Sequence, residues 1–416
     1  MPNRNRWIWA VGIEDTFIGQ TARGERPLDE YELIQHYRFW REDLDRVRDS
    51  GAAMIRYGIP WYRVEPEDGV YDWSWTDQVM AYFESHPELR PIVDLMHYGT
   101  PLWLKNEFMN ARYPELVARY AAAFAARYAH IVPFYTPLNE PWINAEWCGW
   151  SGVWPPYLQG RLGFALMMNQ LCKGIVRTVQ ALKRAQPESV MVHVEASKKF
   201  VPSAPACEKE AAFWNELRYV MWELVQGRIS AGHPLYEWAL NHHIHESDLE
   251  WYRDNRIEPD IIGVNYYPQF SVNSIDESVI LKEQIPAPVP GTAEDMKHIV
   301  HDLYRRYGKP IMITETSYNG TVAERVDWLN EVIQASEELV REGVELYGVT
   351  WFPFFDMADW PYRTNGLPRR DNMATFGLYT LEEQEDGTLL RVKNAAAERF
   401  EAAARQSSSG EGTRTS

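Results

Sequence analysis

The chain has 416 residues, 45% of them hydrophobic, and a formal net charge of −17 at neutral pH. That length and apolar content support one large core, while the acidity opposes binding to nucleic acid or anionic membranes, whose affinity rests on Lys and Arg. No stretch approaches the roughly 20 apolar residues of a membrane span. The N-terminal Met-Pro-Asn-Arg-Asn-Arg-Trp lacks the apolar run of a secretory signal. Cys148, Cys172 and Cys207 have neither CxxC nor metal-ligand spacing. These features read as a cytoplasmic protein with reduced thiols, no metal and no cofactor.

Taken in chain order, eight short apolar segments alternate with helical stretches. The first segment, residues 7–13, precedes an amphipathic run at 33–50. Segments 54–61 and 91–96 follow, then a helical run at 114–130, segment 134–138 and a helical run at 164–184. Segment 190–195 leads to a run at 213–225, segments 261–266 and 310–314 to a run at 323–341, and segment 346–352 closes the series. Apolar residues recur every three or four positions in the runs, the helical period. Near-continuous apolar strands alternating with helices predict a parallel sheet covered on both sides, and eight units predict a (β/α)8 TIM barrel. No Gly-rich phosphate fingerprint follows the first segment, which argues against a dinucleotide fold. Residues 1–405 are therefore expected to form one barrel domain with extended loops at its C-terminal face. Residues 273–295, rich in Pro and acidic side chains, are expected to form a long loop. The Ser- and Gly-rich residues 406–416 have a disordered composition.

Chemistry in such a barrel sits at the C-terminal ends of the strands. Those positions hold Glu14 and Asp15, Arg56, His97, Asn139 and Glu140, Glu195, Asn265 with Tyr266 and Tyr267, Glu315, and Asp356 with Asp359 and Trp360. Two motifs dominate: Thr136-Pro-Leu-Asn-Glu-Pro-Trp142 and Ile311-Met-Ile-Thr-Glu-Thr-Ser317. Each ends an apolar segment with a glutamate, and a barrel can bring such residues face to face. Two carboxyls are what glycosidic bond cleavage needs, one to protonate the departing oxygen and one to attack or activate water. Eighteen Trp and 23 Tyr add faces on which sugar rings stack, several beside the glutamates: Trp142, Trp147, Trp150, Trp154, Trp351 and Trp360. Glu195 ends a strand without a motif around it and reads as structural. No HExxH, phosphate loop or Cys/His cluster supports a metal or nucleotide enzyme.

With these residues in place the chain resembles glycoside hydrolase family 1, the β-glucosidase-like retaining enzymes of the four/seven superfamily. Pro137-Leu-Asn-Glu-Pro-Trp142 resembles that family's acid/base motif and Ile313-Thr-Glu315 its nucleophile motif. Ile262-Gly-Val-Asn-Tyr-Tyr267, Leu95-Met-His97 and Phe376-Gly-Leu-Tyr379 with Lys393-Asn-Ala are similar to further segments of the family. The resemblance implies a retaining β-glycosidase acting through a covalent glycosyl-enzyme on a carbohydrate or glycoside. It implies Glu140 as general acid and base, Glu315 as nucleophile, and Asn139 as the partner of the sugar 2-hydroxyl. It further implies that Arg56 and Tyr267 orient Glu315, that Asn265 belongs to the strand-six part of the substrate site, that His97 donates to a sugar hydroxyl, and that Trp351 lies beneath the ring. Cellulase-, xylanase- or galactosidase-like barrels share the Asn-Glu pair, and a non-catalytic sugar-binding barrel is the alternative of a different class.

The departures from the family pattern concentrate in sugar recognition. No glutamine occupies the family's place after strand one, where Trp9-Ala-Val-Gly-Ile-Glu-Asp-Thr-Phe17 stands. The family's Glu-Trp pair becomes Asp359-Trp360, Tyr98 follows His97 in place of tryptophan, and Thr316-Ser317 follow Glu315 in place of Asn-Gly. A site that loses a hydroxyl partner discriminates strongly between sugars, so the preferred sugar is expected to differ from glucose, with Glu14, Asp15 and Asp359 as the altered recognition set.

Overall fold

The structure, a computed structural model describing residues 7–21 and 23–409, closes eight parallel strands into a barrel. The strands are β1 (Ile8–Ile13), β2 (Met54–Gly58), β3 (Arg90–Asp94), β4 (Phe134–Thr136), β5 (Val190–Ala196), β6 (Ile261–Asn265), β7 (Ile311–Thr316) and β8 (Leu346–Trp351). Each pairs with its neighbours in chain order, and β1 closes the ring on β8 with Ile8 beside Gly348. All eight coincide with apolar segments of the sequence, their ends displaced by a few residues. The largest displacement is at β2, where Pro60 precedes a helical turn over Trp61–Val64.

Apolar side chains occupy both faces of these strands because both faces are covered. Inward residues at the N-terminal end (Ala10, Met54, Ile92, Phe134, Val192, Ile261 and Met312) form a small sealed core inside the ring. Outward residues join the larger core under the helices. Alternation then carries the next inward positions, Arg56 after Met54, Asp94 after Ile92 and Asn265 after Ile261, up to the level of the chemistry.

The surrounding helices are α1 (His36–Asp49), α2 (Ser74–Ser85), α3 (Tyr113–Tyr128), α4 (Gly160–Ala185), α5 (Glu208–Leu217), α6 (Ala293–Tyr307), α7 (Val322–Arg341) and α8 (Ala395–Ser409). Gly308 ends α6 with φ 62°, a left-handed conformation that glycine adopts without a Cβ penalty. Phe400 of α8 packs edge-on against Trp9 of β1, ring centroids 5.4 Å apart, and so ties the two ends of the barrel together. No described helix is long and apolar enough to cross a membrane, and the three cysteines are free and buried.

Three segments differ from the sequence reading. The run at 213–225 breaks into α5 and a separate helix over Val220–Val225. At the break the Arg218 guanidinium donates to the carbonyls of Asn215 and Lys198. The segment 273–295 is not a plain loop. Val272–Ile275 runs parallel to Lys199–Pro202 and antiparallel to Ala287–Val289, with a short helix, Glu277–Lys282, between. The pairing partner lies far away in the chain, and prolines are compatible with the edge strand they occupy. Finally, α8 continues through Gln406 to Ser409, and residues 410–416 lie outside the described residues.

Candidate active site

Glu315 sits on β7, where the register against both neighbours shifts after Ile313. Strict alternation would place Thr314 inward and Glu315 outward, but the irregularity re-aims the side chain. Thr314 donates through Oγ1 to Asn265 at 2.7 Å, and the Glu315 carboxylate also meets inward-facing groups. Arg56 Nη1 donates to Glu315 Oε1 at 2.5 Å and Tyr267 donates to Oε2 at 2.7 Å. The carboxylate is thus held at both oxygens, one bond coming from a buried cation.

Glu140 lies beyond β4 with φ 44°, immediately before Pro141 opens the turn Pro141–Asn144. A glutamate in the left-handed region is strained, and such residues persist where the surroundings over-determine them, often at functional sites. Here Asn265 Nδ2 donates to Glu140 Oε1 at 2.9 Å and Tyr98 donates to Oε2. Glu195 fixes the same segment from below, accepting from the Trp142 and Ala196 backbone N–H at 3.0 and 2.9 Å. Burial, and next the charge of Glu315, push the Glu140 carboxyl up to about 7.

Arg56 is the hub beneath this pair. Besides Glu315 it donates to Asp94 at 2.9 Å and Asn139 at 3.0 Å, and Glu14 lies 3.5 Å away. His97 Nδ1 stands 3.4 Å from Asp94 and 3.5 Å from Glu14. Burial opposes its protonation, yet these two carboxylates prevail and raise it to about 10. Glu14, shut away from solvent, is raised to about 7 by burial, with Arg56 pulling the other way. Glu14, Asp94 and His97 also offer ligand atoms within 4.8 Å of one another, the one group among the described residues that could hold a metal ion.

A cavity of about 660 Å³ opens above the strand ends, lined by Glu140, Glu315, His97, Asn265 and Tyr267 from the barrel itself. Asp359 and Trp360 line it from the segment after β8. Trp360 meets Trp147, Trp154 and Tyr98 edge-on, with ring centroids 5.1, 5.0 and 5.8 Å away. Arg56 and Asn139 are fully buried behind this surface, and Glu14 and Asp15 are nearly so. Trp351 is 1% exposed, donates its indole N–H to the Phe376 carbonyl at 3.1 Å, and stays behind the lining, which Phe352 and Phe376 supply instead. Phe17, in the segment after β1, is absent from the cavity lining and stacks on Tyr62 with ring centroids 3.5 Å apart. Its carbonyl oxygen leaves no room for a side chain at Gly99, 1.9 Å from where a Cβ would stand.

Asp94 and Tyr98 contact the two glutamates' network and are absent from the candidate residues of the sequence reading. A lone carboxylate within an apolar strand was a usable signal for Asp94, since a charge there must be paired. Tyr98 is visible only as a departure from a pattern. Its left-handed backbone, φ 75°, has no mark in the sequence.

A (β/α)8 barrel with two buried carboxyls facing one polar, aromatic-walled cavity defines a carbohydrate-active barrel. The family model for glycosyl hydrolase family 1 matches residues 11–406, and the chain belongs to that family. It is a glycoside hydrolase of the retaining β-glycosidase type. Similar curated proteins include β-glucosidase A of Thermotoga maritima, 23% identical over 78% of each chain. An aryl-phospho-β-D-glucosidase of Bacillus subtilis is 24% identical over 77% of this chain and 76% of its own. Among solved structures, the Thermotoga maritima β-glucosidase in complex with deoxynojirimycin superposes with a TM-score of 0.81 at 18% identity, covering 98% of this chain and 99% of the other.

Proposed function

We propose that this enzyme hydrolyses β-glycosides of a neutral sugar by double displacement, with Glu315 as nucleophile and Glu140 as acid and then base. The observation that carries this reading is the unequal environment of the two carboxyls. Glu315 is gripped by the Arg56 cation and the Tyr267 hydroxyl, one on each oxygen, which fixes its orientation for attack. Glu140 is buried beside that negative charge, which keeps its proton on. In the first step a Glu315 oxygen bonds to the anomeric carbon as the aglycone oxygen leaves with the Glu140 proton. An ester to Glu315 remains, and Glu140 is left ionised. The charge on Glu315 is then gone, so Glu140 can take a proton from water as that water attacks the anomeric carbon and frees Glu315.

The charge of the lining supports an unphosphorylated sugar. Glu146 and Asp359 join Glu140 and Glu315 around the cavity, against Lys198 and His97 as its cations. The aryl-phospho relative is named for a substrate whose phosphate this acidic wall would repel. Within the altered recognition set, Asp359 is the member on the lining, whereas Glu14 and Asp15 act from behind His97. Incubation with an activated 2-deoxy-2-fluoro β-glycoside tests the reading: mass analysis should find one fluorosugar on the peptide holding Glu315, and none on Glu315→Gln. Absence of label together with no turnover across aryl glucosides, galactosides, fucosides, xylosides and mannosides would make the protein a sugar-binding barrel.

A further inference from the structure

The Pro-rich segment after β6 forms part of the cavity wall and is anchored at several points. Asp276 caps its short helix by accepting from the Ser278 and Val279 N–H. Trp150 Nε1 donates to the Glu283 carbonyl at 3.1 Å, and Ala287–Val289 pairs with Val272–Ile275. Between these anchors four consecutive residues, Ile285, Pro286, Ala287 and Pro288, line the cavity. None has a polar side chain, and both prolines lack a backbone N–H. Phe270 extends the same apolar surface, 45% exposed on the lining, with Phe376 6.5 Å from it. The cavity therefore has a polar floor at the strand ends and an apolar stretch of wall at Ile285–Pro288, Phe270 and Phe376, with Lys198, Ser271 and Asn273 beside it.

We propose that this wall is the aglycone site, and that the substrates are β-glycosides of apolar alkyl or aryl alcohols rather than oligosaccharides. The proposal rests on the glycosidase reading above and names the substrate class of that site. A second sugar placed against Ile285–Pro288 would give up water around its hydroxyls and find no donor from the two prolines and no partner among these four side chains, a costly exchange. A hydrocarbon loses only unfavourable hydration there. Trp147, on the loop after β4, adds a further aromatic face to the lining.

The test is a series of n-alkyl β-glycosides of glucose and galactose, methyl to octyl and below micellar concentration, run beside disaccharides with the same non-reducing sugar. Alkanol leaving groups have nearly constant acidity along such a series, so changes in kcat/KM report the wall and not the chemistry. Each methylene buried should raise kcat/KM roughly three- to fourfold, giving at least tenfold from methyl to octyl, with the octyl glycoside ahead of the disaccharide. Ile285→Ser should flatten that slope. A flat series, or a preferred disaccharide, overturns the proposal. If no glycoside is turned over, the glycosidase reading fails instead, and calorimetric binding of the same series decides on the wall: affinity independent of chain length overturns it.

Discussion

Tyr98 and Glu140 both adopt positive φ, at 75° and 44°, and are joined by a hydrogen bond. Two strained residues holding each other point to a carboxyl whose position matters more than its local backbone energy. As the proposed acid, Glu140 must carry its proton when the bond breaks, so with its carboxyl raised to about 7 the kcat/KM profile should fall on its alkaline side around that pH. The Tyr98 hydroxyl favours the ionised form of Glu140, and it also accepts from Asn139 at 3.0 Å. Tyr98→Phe should therefore move the alkaline limb to higher pH and lower kcat/KM about tenfold, less than the roughly 100- to 10,000-fold of a general acid itself because the acid stays in place. An unmoved limb in steady-state pH profiles would separate Tyr98 from the acid. Of this site the two glutamates, Arg56, Asn139 and Tyr267 are legible in the sequence, because each stands at a strand end. The inward turn of Phe352 and the burial of Trp351 are not, because the last residues of β8 could face either way.

At the scale of elements, β7 and α7 show how a strand delivers the proposed nucleophile, Glu315, and a helix then closes the unit. The helix opens with a capping box: Glu324 N–H donates to Thr321 Oγ1 at 3.3 Å and the Glu324 carboxylate accepts from the Thr321 N–H at 2.8 Å. Together these satisfy two of the N–H groups that a helix start leaves unpaired. Thr321→Ala should cost about 1 kcal/mol, read as a lower midpoint in urea unfolding, with kcat/KM changed less than twofold. A loss of activity without a loss of stability would mean the cap positions Glu315 as well. The eight strands could be placed from the sequence because their apolar runs are a local property. The register shift in β7 is set by pairing with β6 and β8, and the strand hidden in 273–295 needs Lys199–Pro202 beside it.

Over the whole molecule, the closed barrel gathers carboxyls that solvent would otherwise keep apart. Glu14 and Glu140 are raised to about 7 and Glu30 to about 8, each first of all by burial. A carboxyl whose folded value lies above its unfolded value of about 4.5 stabilises the fold below pH 4.5, and that contribution is lost as pH rises through the folded value. The enzyme should therefore lose thermal stability between about pH 5 and pH 8, opposite to the course of a protein held by ionised carboxylates. Glu30 is the test case, because its carboxyl accepts from the Ala358 N–H at 2.8 Å and its other oxygen has no partner. Glu30→Gln keeps an acceptor for Ala358 and removes the titration. Its melting temperature should exceed that of the wild type by a few degrees at pH 8 and match it near pH 5. Equal temperatures at both values would show that Glu30 does not carry this dependence.

The sequence by itself determined the barrel, the two glutamates and the family, because strand composition, helical period and short motifs are written in consecutive residues. Tertiary structure decided what surrounds those glutamates. Arg56, Asp94, His97 and Glu14 come from three different strand ends and become one charge network only when the ring closes. Ile285–Pro288 becomes a cavity wall only when its strand finds a distant edge. The balance that keeps a proton on Glu140 and holds Glu315 between Arg56 and Tyr267 depends on burial and on distances of about 3 Å, over which charge interactions are strong in a dry interior. No local stretch of residues encodes those quantities.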